Sequence, residues 1–163
     1  INVFRGSLNN VLSRFIHLIE LHDLDDNDVI IRLTGDNPIV DSYFLEILKE
    51  AWESGDYDYL SAEPENIEDT NWPKGLSAEF VRVHHLKESF RNDKSEENLE
   101  HVTKYIRNNV KNKVFANEVT NLEFNNKHFL GIDTKEDYDR IKKIFIKANI
   151  HDKFTKIIQN IEC

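Results

Sequence analysis

Methionine is absent from the 163 residues, and cysteine occurs once, at the last position, Cys163. A lone terminal cysteine excludes an intrachain disulfide and any cysteine-based zinc centre, so cysteine usage gives no sign of an oxidising compartment. No apolar stretch approaches the roughly 18 residues of a membrane span, and no basic-then-apolar leader opens the sequence, which makes the cytoplasm the default location. Repeats, low-complexity tracts and Gly/Ser/Pro linkers are also missing, so 1–163 reads as a single domain. Cationic excess is lacking too: 21 Lys and Arg face 30 Asp and Glu, a net charge of −9. That balance argues against a nucleic-acid partner, which needs clustered Lys and Arg. It does not argue against a nucleotide, which a few cations and a metal can hold locally. With 39% hydrophobic and 31% charged residues, the composition is that of a globular domain with a buried core.

The most informative stretch that is present runs from Asp28 to Pro38, where the apolar run Val29-Ile30-Ile31-Arg32-Leu33 stops at Thr34-Gly35-Asp36-Asn37-Pro38. It predicts a buried strand that delivers Asp36 to its C-terminal end, where open α/β sheets bind ligands. A second strand, Phe129-Leu130-Gly131-Ile132, runs into Asp133-Thr134, with a helix pattern following at once. Two carboxylates at the ends of neighbouring strands suit a divalent cation that bridges phosphate oxygens, since magnesium takes one or two protein carboxylates and leaves its other positions to water and phosphate. Each also has a simpler reading. Asp36 serves equally as a turn former, and Asp133 as the N-cap of the next helix with Thr134 helping.

Hydrophobic periodicity alternates strand and helix along the chain. A helical stripe through Val11-Leu12, Phe15-Ile16 and Leu18-Ile19, continued by Leu21, follows the Arg5-Gly6-Ser7 turn. A helix over Ser42 to Ser54 is capped by Asp41 and closed by Gly55. Strands are expected at Tyr57 to Ala62, Leu76 to Val83 and Phe129 to Ile132, with β-like sequence from Val114 to Phe124. Helices are expected at His84 to Arg91, Ser95 to Asn108, Lys135 to Ala148, the last amphipathic with Tyr138, Ile141, Ile144 and Phe145 on one face, and at Lys153 to Ile161. This order favours an α/β fold, a mixed sheet with helices on both faces. The His84-His85 pair has no metal-like spacing with a third ligand.

Five segments stand in a telling order: VFRGSLNNVLSRF (Val3 to Phe15), VIIRLTGDNPIVD (Val29 to Asp41), WPKGLSAEF (Trp72 to Phe80), EHVTKYIRNN (Glu100 to Asn109) and GIDTKEDYDRI (Gly131 to Ile141). Together they resemble the cytidylyltransferase family of the spore-coat polysaccharide type, related to the CMP-sialate and CMP-Kdo synthetases. The resemblance implies a three-layer α/β/α, mostly parallel mixed sheet of the nucleotide-diphospho-sugar transferase kind. It lacks that family's N-terminal strand and basic, Gly-containing nucleotide loop. With Ile1 at its start and no Met, the chain is expected to be the C-terminal portion of a longer nucleotidyltransferase domain, incomplete as a catalyst by itself.

The resemblance further implies that Asp36 and Asp133 are catalytic and hold Mg2+. Arg5 and Ser7 lie in a loop against nucleotide or sugar, where the alternative is a helix N-terminus capped by Ser7 or Asn9. Asn9 and Asn10 stand where relatives carry acids, and Arg14 reads as an ion-pair partner on its helix. Lys74 and Glu79 belong to a segment that closes over the acceptor sugar, with Ser77 where an Asp is common; alternatively Lys74-Gly75 is a tight turn and Glu79 a solvated strand residue. His101 and Arg107, expected on one helix, would reach the substrate, His101 otherwise being a packed or capping histidine. The implied partners are CTP and a sugar or sugar-acid acceptor, with no nucleic acid and no membrane span; a homodimer is allowed. The implied reaction is transfer of a cytidylyl group to the acceptor with release of pyrophosphate, in surface polysaccharide biosynthesis. Two other classes compete: a non-catalytic nucleotide-sugar or carbohydrate-assembly module, and a metal-dependent glycosyltransferase of similar architecture, which would release no pyrophosphate.

Overall fold

The computed structural model of the protein describes residues 2–124 and 129–147. In chain order its elements are α1 (Val11–Leu21), β1 (Val29–Arg32), α2 (Ser42–Glu53), β2 (Tyr59–Ser61), β3 (Glu79–Arg82), α3 (Val83–Asn92), α4 (Glu96–His101), α5 (Lys104–Asn109), β4 (Lys113–Phe115), α6 (Ala116–Val119) and α7 (Lys135–Lys147). The strands form one sheet in the order β1-β3-β2-β4.

Backbone pairing fixes the strand directions. Ala62 N–H donates to Ala78 at 2.8 Å and Arg82 N–H to Asp58 at 3.2 Å, so β2 and β3 run antiparallel. Val83 N–H donates to Asp28 at 2.9 Å, while Arg32 and Glu79 pair at the other end of the same two strands, making β1 and β3 antiparallel as well. Asp58 N–H reaches Asn112 at 3.0 Å, start beside start, so β2 and β4 are parallel. The sheet is therefore mixed, with β3 alone running against the other three, and the α/β class expected from the alternation holds.

The chain gathers into two compact units. The first comprises the described residues up to Ile31, Tyr57–Tyr59 and Phe80–Lys113. Leu12 and Ile19 of α1 pack with Tyr59, Val81, Val83, Leu86, Val102 and Ile106. Asn10 starts α1 by accepting Ser13 N–H at 2.9 Å on its side-chain oxygen. Asn98, fully buried, links three helices: its amide donates to Ser89 Oγ and the Asp93 carbonyl, both at 3.0 Å, and its oxygen accepts Tyr105 N–H at 3.0 Å. A buried amide satisfied on both sides specifies that packing, because an unpaired one would cost about 1–3 kcal/mol.

The second unit comprises Arg32–Asp56, Leu60–Glu79 and the described residues from Val114 onward. Its core includes Ile39, Phe44, Leu48, Trp72, Leu76, Leu130 and Ile141. Asp41 caps α2 as expected, accepting Phe44 N–H at 2.8 Å. Trp72 stands edge-on to Phe124 at 5.0 Å and donates its indole N–H to the Leu76 carbonyl at 3.2 Å, which lets a polar-tipped ring lie in the core.

Several expectations change. β1 is an edge strand in this sheet, and Val29, Ile31 and Leu33 are 37%, 45% and 49% exposed, so the apolar run is not a buried central strand. An apolar run reports a preference for burial without naming the neighbour that supplies it. Ser54, not Gly55, closes α2, its hydroxyl donating to the Ala51 carbonyl at 2.7 Å. The helix expected over Ser95 to Asn108 is two helices broken at Val102. The β-like Val114 to Phe124 stretch holds only the end of β4 before turning into α6. Phe129 forms an isolated parallel bridge to Lys74 where a full strand was expected. On α7, Ile141 is buried while Tyr138 and Phe145 are 45% and 41% exposed. The helix expected at Lys153 to Ile161 lies outside the described residues.

Candidate active site

Three segments of the second unit are stitched together around Asp36 and Asp133. Thr34 to Asn37 form a turn, with Asn37 N–H donating to the Thr34 carbonyl at 3.2 Å and the Asn37 amide to Thr34 Oγ1 at 2.7 Å. Asp36 stands exposed at its tip. Its carbonyl accepts Ile132 N–H at 2.9 Å, and two residues earlier Leu130 N–H reaches the Lys74 carbonyl at 2.7 Å. Alternate amides of an extended segment point the same way, so this one pairs with both Asp36 and Lys74 and carries Asp133 just beyond. Asp36 is thus itself a partner in that backbone bond, and Asp133 is one residue beyond it.

Lys74 sits in a tight turn, in line with its simpler reading: Leu76 N–H donates to the Pro73 carbonyl at 3.1 Å with Gly75 at φ +90, and Gly75 N–H is held by Glu63 Oε1 at 2.9 Å. Lys74 itself is exposed. Glu79 lies elsewhere in the unit and is not solvated: it is 5% exposed and ion-paired to Arg32 at 2.5 Å.

Asp133 does not cap α7. Thr134 does, in a reciprocal box with Asp137: Asp137 N–H reaches Thr134 Oγ1 at 3.2 Å, and Asp137 Oδ2 accepts the Thr134 hydroxyl at 2.8 Å and the Thr134 and Asp133 amides at 2.9 and 3.2 Å. Arg140 completes the brace, donating to Asp137 Oδ1 at 2.7 Å and to the Phe129 carbonyl at 2.9 Å. The Thr-x-x-Asp spacing is a readable capping signal, masked in the sequence by Asp133 one residue nearer the strand. With capping done by others, the side chains of Asp36 and Asp133 make no hydrogen bond or ion pair with another described residue and stand exposed. Two carboxylates without a partner among the described residues, on a braced backbone, are a donor set suited to a hard divalent cation, which takes oxygen ligands.

Asp137 is 8% exposed, and its carboxyl is lowered to about 2, chiefly by the Arg140 guanidinium, then by the Thr134 and Asp133 donors, against the opposing effect of burial. A depressed carboxylate contributes stability that is present above its unfolded value, about 3.9, and lost as the pH falls through the folded one. Asp137→Asn is therefore expected to lower the thermal midpoint at pH 7, with the gap to wild type closing between about pH 4 and 2. Midpoints measured by circular dichroism from pH 7 to 2 check this; a gap that stays constant over that range rejects the brace as an ionised one.

The other expected site residues belong to the first unit. Arg5 and Ser7 are exposed in the segment before α1, where Ser7 Oγ accepts Asn10 N–H at 3.0 Å while Asn10 does the capping. Arg14 makes no ion pair among the described residues; it donates to the carbonyls of Ser7 at 2.7 Å and Leu8 at 3.1 Å and holds that loop. His101, exposed, ends α4, and Arg107 lies on α5. They do not share one helix because Val102 between them has φ 68 and ψ −51, with Thr103 N–H donating to the His101 carbonyl at 2.7 Å. This is a γ-turn of the positive-φ form on a buried β-branched residue, a conformation costing about 1–3 kcal/mol.

Comparison with known proteins adds four findings. The family model described as cytidylyltransferase matches residues 1–159. The chain is 39% identical to the spore coat polysaccharide biosynthesis protein SpsF of Bacillus subtilis (strain 168), over 90% of this chain and 58% of that protein. It is 32% identical to the uncharacterized protein MJ1063 of Methanocaldococcus jannaschii, over 93% of this chain and 57% of that one; it thus spans a little over half the length of both relatives. Among solved structures, a cytidylyltransferase from Leptospira borgpetersenii serovar Hardjo-bovis (strain JB197) superposes with a TM-score of 0.78 at 23% identity, covering 99% of this chain and 70% of that one. At that identity the likeness shows the fold.

Proposed function

The chain belongs to the cytidylyltransferase family, and on that premise we propose that the full-length protein transfers a cytidylyl group from CTP to a sugar or sugar-acid hydroxyl, releasing pyrophosphate, in surface polysaccharide biosynthesis. The observation that supports this reading is the backbone bond from Ile132 to the Asp36 carbonyl, which sets Asp36 beside the residue preceding Asp133, neither side chain having a partner among the described residues. Asp36 and Asp133 would hold magnesium. When bound, magnesium supplies charge neutralisation to the phosphates and lowers the pKa of a coordinated hydroxyl. The chain's own part is positioning: the Thr134, Asp137 and Arg140 brace fixes the segment before Asp133, and the Thr34–Asn37 turn fixes Asp36. Phosphoryl-type transfer relies mainly on such alignment and on charge stabilisation. The reading implies a cytoplasmic protein, where CTP is made, and is compatible with a homodimer.

Lys74, exposed on the same backbone frame, supports an anionic acceptor such as a sugar carboxylate or sugar phosphate. A charge-assisted hydrogen bond is worth about 1.5–3 kcal/mol, a factor of roughly ten or more. The test offers CTP, magnesium and a panel of neutral and acidic sugars to the full-length protein and follows pyrophosphate. Release with an acidic acceptor, and a KM for it raised about tenfold or more in Lys74→Ala, is expected. Preference for a neutral sugar rejects the acceptor class, and absence of pyrophosphate with every acceptor rejects the reaction.

A further inference from the structure

Asp58, just before β2, meets His84 and His85, the second and third residues of α3, because the antiparallel pairing of β2 with β3 places Arg82 beside Asp58. One ligand atom from each of the three lies within 4.8 Å of the other two, and all three side chains are partly buried. Tautomers follow from the partners. His84 Nδ1 is 3.0 Å from the Asp26 carbonyl, which can only accept, so a neutral His84 carries its proton on Nδ1 and its lone pair on Nε2. His85 Nδ1 faces Glu88 Oε2 at 3.4 Å, which likewise leaves the Nε2 lone pair free. That His85 Nε2 is buried with no hydrogen-bond partner.

Across from it, Asp58 Oδ2 stands 3.7 Å away. With the His85 proton on Nδ1, a lone pair and a carboxylate oxygen face each other, an arrangement that a bound cation stabilises. The separation is too long for a direct hydrogen bond, which runs about 2.7–3.2 Å. It is close to the roughly 3.3 Å that separates two ligands each about 2.0–2.1 Å from a tetrahedral zinc ion. Each imidazole also donates its other nitrogen to an oxygen, the outer arrangement that orients metal-ligating histidines. Arg82 Nε, 3.4 Å from Asp58 Oδ1 and also bonded to the Tyr57 carbonyl at 3.0 Å, leaves Oδ2 as the free oxygen.

We propose that Asp58, His84 and His85 form a binding site for a divalent transition-metal ion of the zinc class, bound through two imidazole nitrogens and one carboxylate oxygen with a fourth position open. Two imidazoles select such an ion over magnesium. It joins the start of β2 to the start of α3 and is a site separate in kind from the oxygen-only pair Asp36 and Asp133. The test uses untagged full-length protein freed of metal and titrated with Co2+, followed by displacement with Zn2+. Saturable binding of one ion with a visible tetrahedral absorption band is expected. His84→Ala and His85→Ala should each weaken it about 100-fold, Glu88→Gln about tenfold, and His17→Ala on α1 should leave it unchanged. As a check independent of any variant's folding, Zn2+ added to the wild-type protein should shift the Nε2 resonances of His84 and His85 by NMR and raise the thermal midpoint. No saturation at about 1 mM Co2+, where even a weak site would fill, binding unchanged in either histidine variant, or zinc-induced shifts confined to other histidines overturns the site.

Discussion

Asp36→Ala and Asp133→Ala, each placed in the full-length protein, are expected to cut magnesium-dependent pyrophosphate release from CTP by about 10²–10³-fold or more, the scale seen when a single preorganised charge-stabilising group is removed. Stability should change by no more than about 0.5 kcal/mol, because both side chains are exposed and bonded to no other described residue. The bond that docks Asp36 uses its backbone carbonyl, which alanine retains. Removing one of two nearby carboxylates also removes a repulsion that only a cation offsets. Conservative Asp→Asn variants should show the same loss with a higher magnesium requirement. Near-normal turnover by either alanine variant at saturating magnesium would reject the two-carboxylate site, and a large fall in thermal midpoint would show that the residue serves the fold.

Gly75→Ala is expected to be the most destabilising small substitution in the second unit. A Cβ there would lie 2.4 Å from the Gly131 nitrogen and 2.9 Å from the Leu130 carbonyl carbon, and the residue has φ +90. The left-handed backbone costs an L-residue about 1–2 kcal/mol, and overlap with main chain that cannot rotate away adds about 1–3 more. A loss of about 3 kcal/mol corresponds to a fall of roughly 6–12 °C in thermal midpoint for a domain of this size. Activity should fall too, since the displaced Leu130–Gly131 segment leads into Asp133. Gly35→Ala is the matched control: a Cβ there would meet no atom within 4 Å and its φ is not positive, so a change within about 0.5 kcal/mol is expected. Equal effects of the two substitutions would show that the close approach of Gly75 to Gly131 does not govern stability.

What could be read from the chain alone was what lies within a few residues. Asp41 was readable as a cap because its partner, Phe44 N–H, is three residues away. The stripe of α1, the existence of β2 and β3, and the turns at Gly35 and Gly75 rest on the same short-range geometry. Asp36 and Asp133 stood out because each ends an apolar run, and the family resemblance linked them; their adjacency required the Ile132–Asp36 bond, which no local pattern encodes. The misreadings share a cause. β1 carries an apolar run but lies at the sheet edge; Glu79 looks like a solvated strand residue until Arg32, 47 positions earlier, is brought beside it; one helical stripe covers His101 and Arg107 although Val102 breaks it. No third group stands near His84-His85 in sequence, because Asp58 is brought beside them only by the pairing of β2 with β3. Periodicity and capping are properties of neighbours in sequence, so the sequence by itself determined the elements and the residue types at their ends. Burial, ion pairing and ligand sets depend on which elements become neighbours in space, and that only the tertiary structure decided.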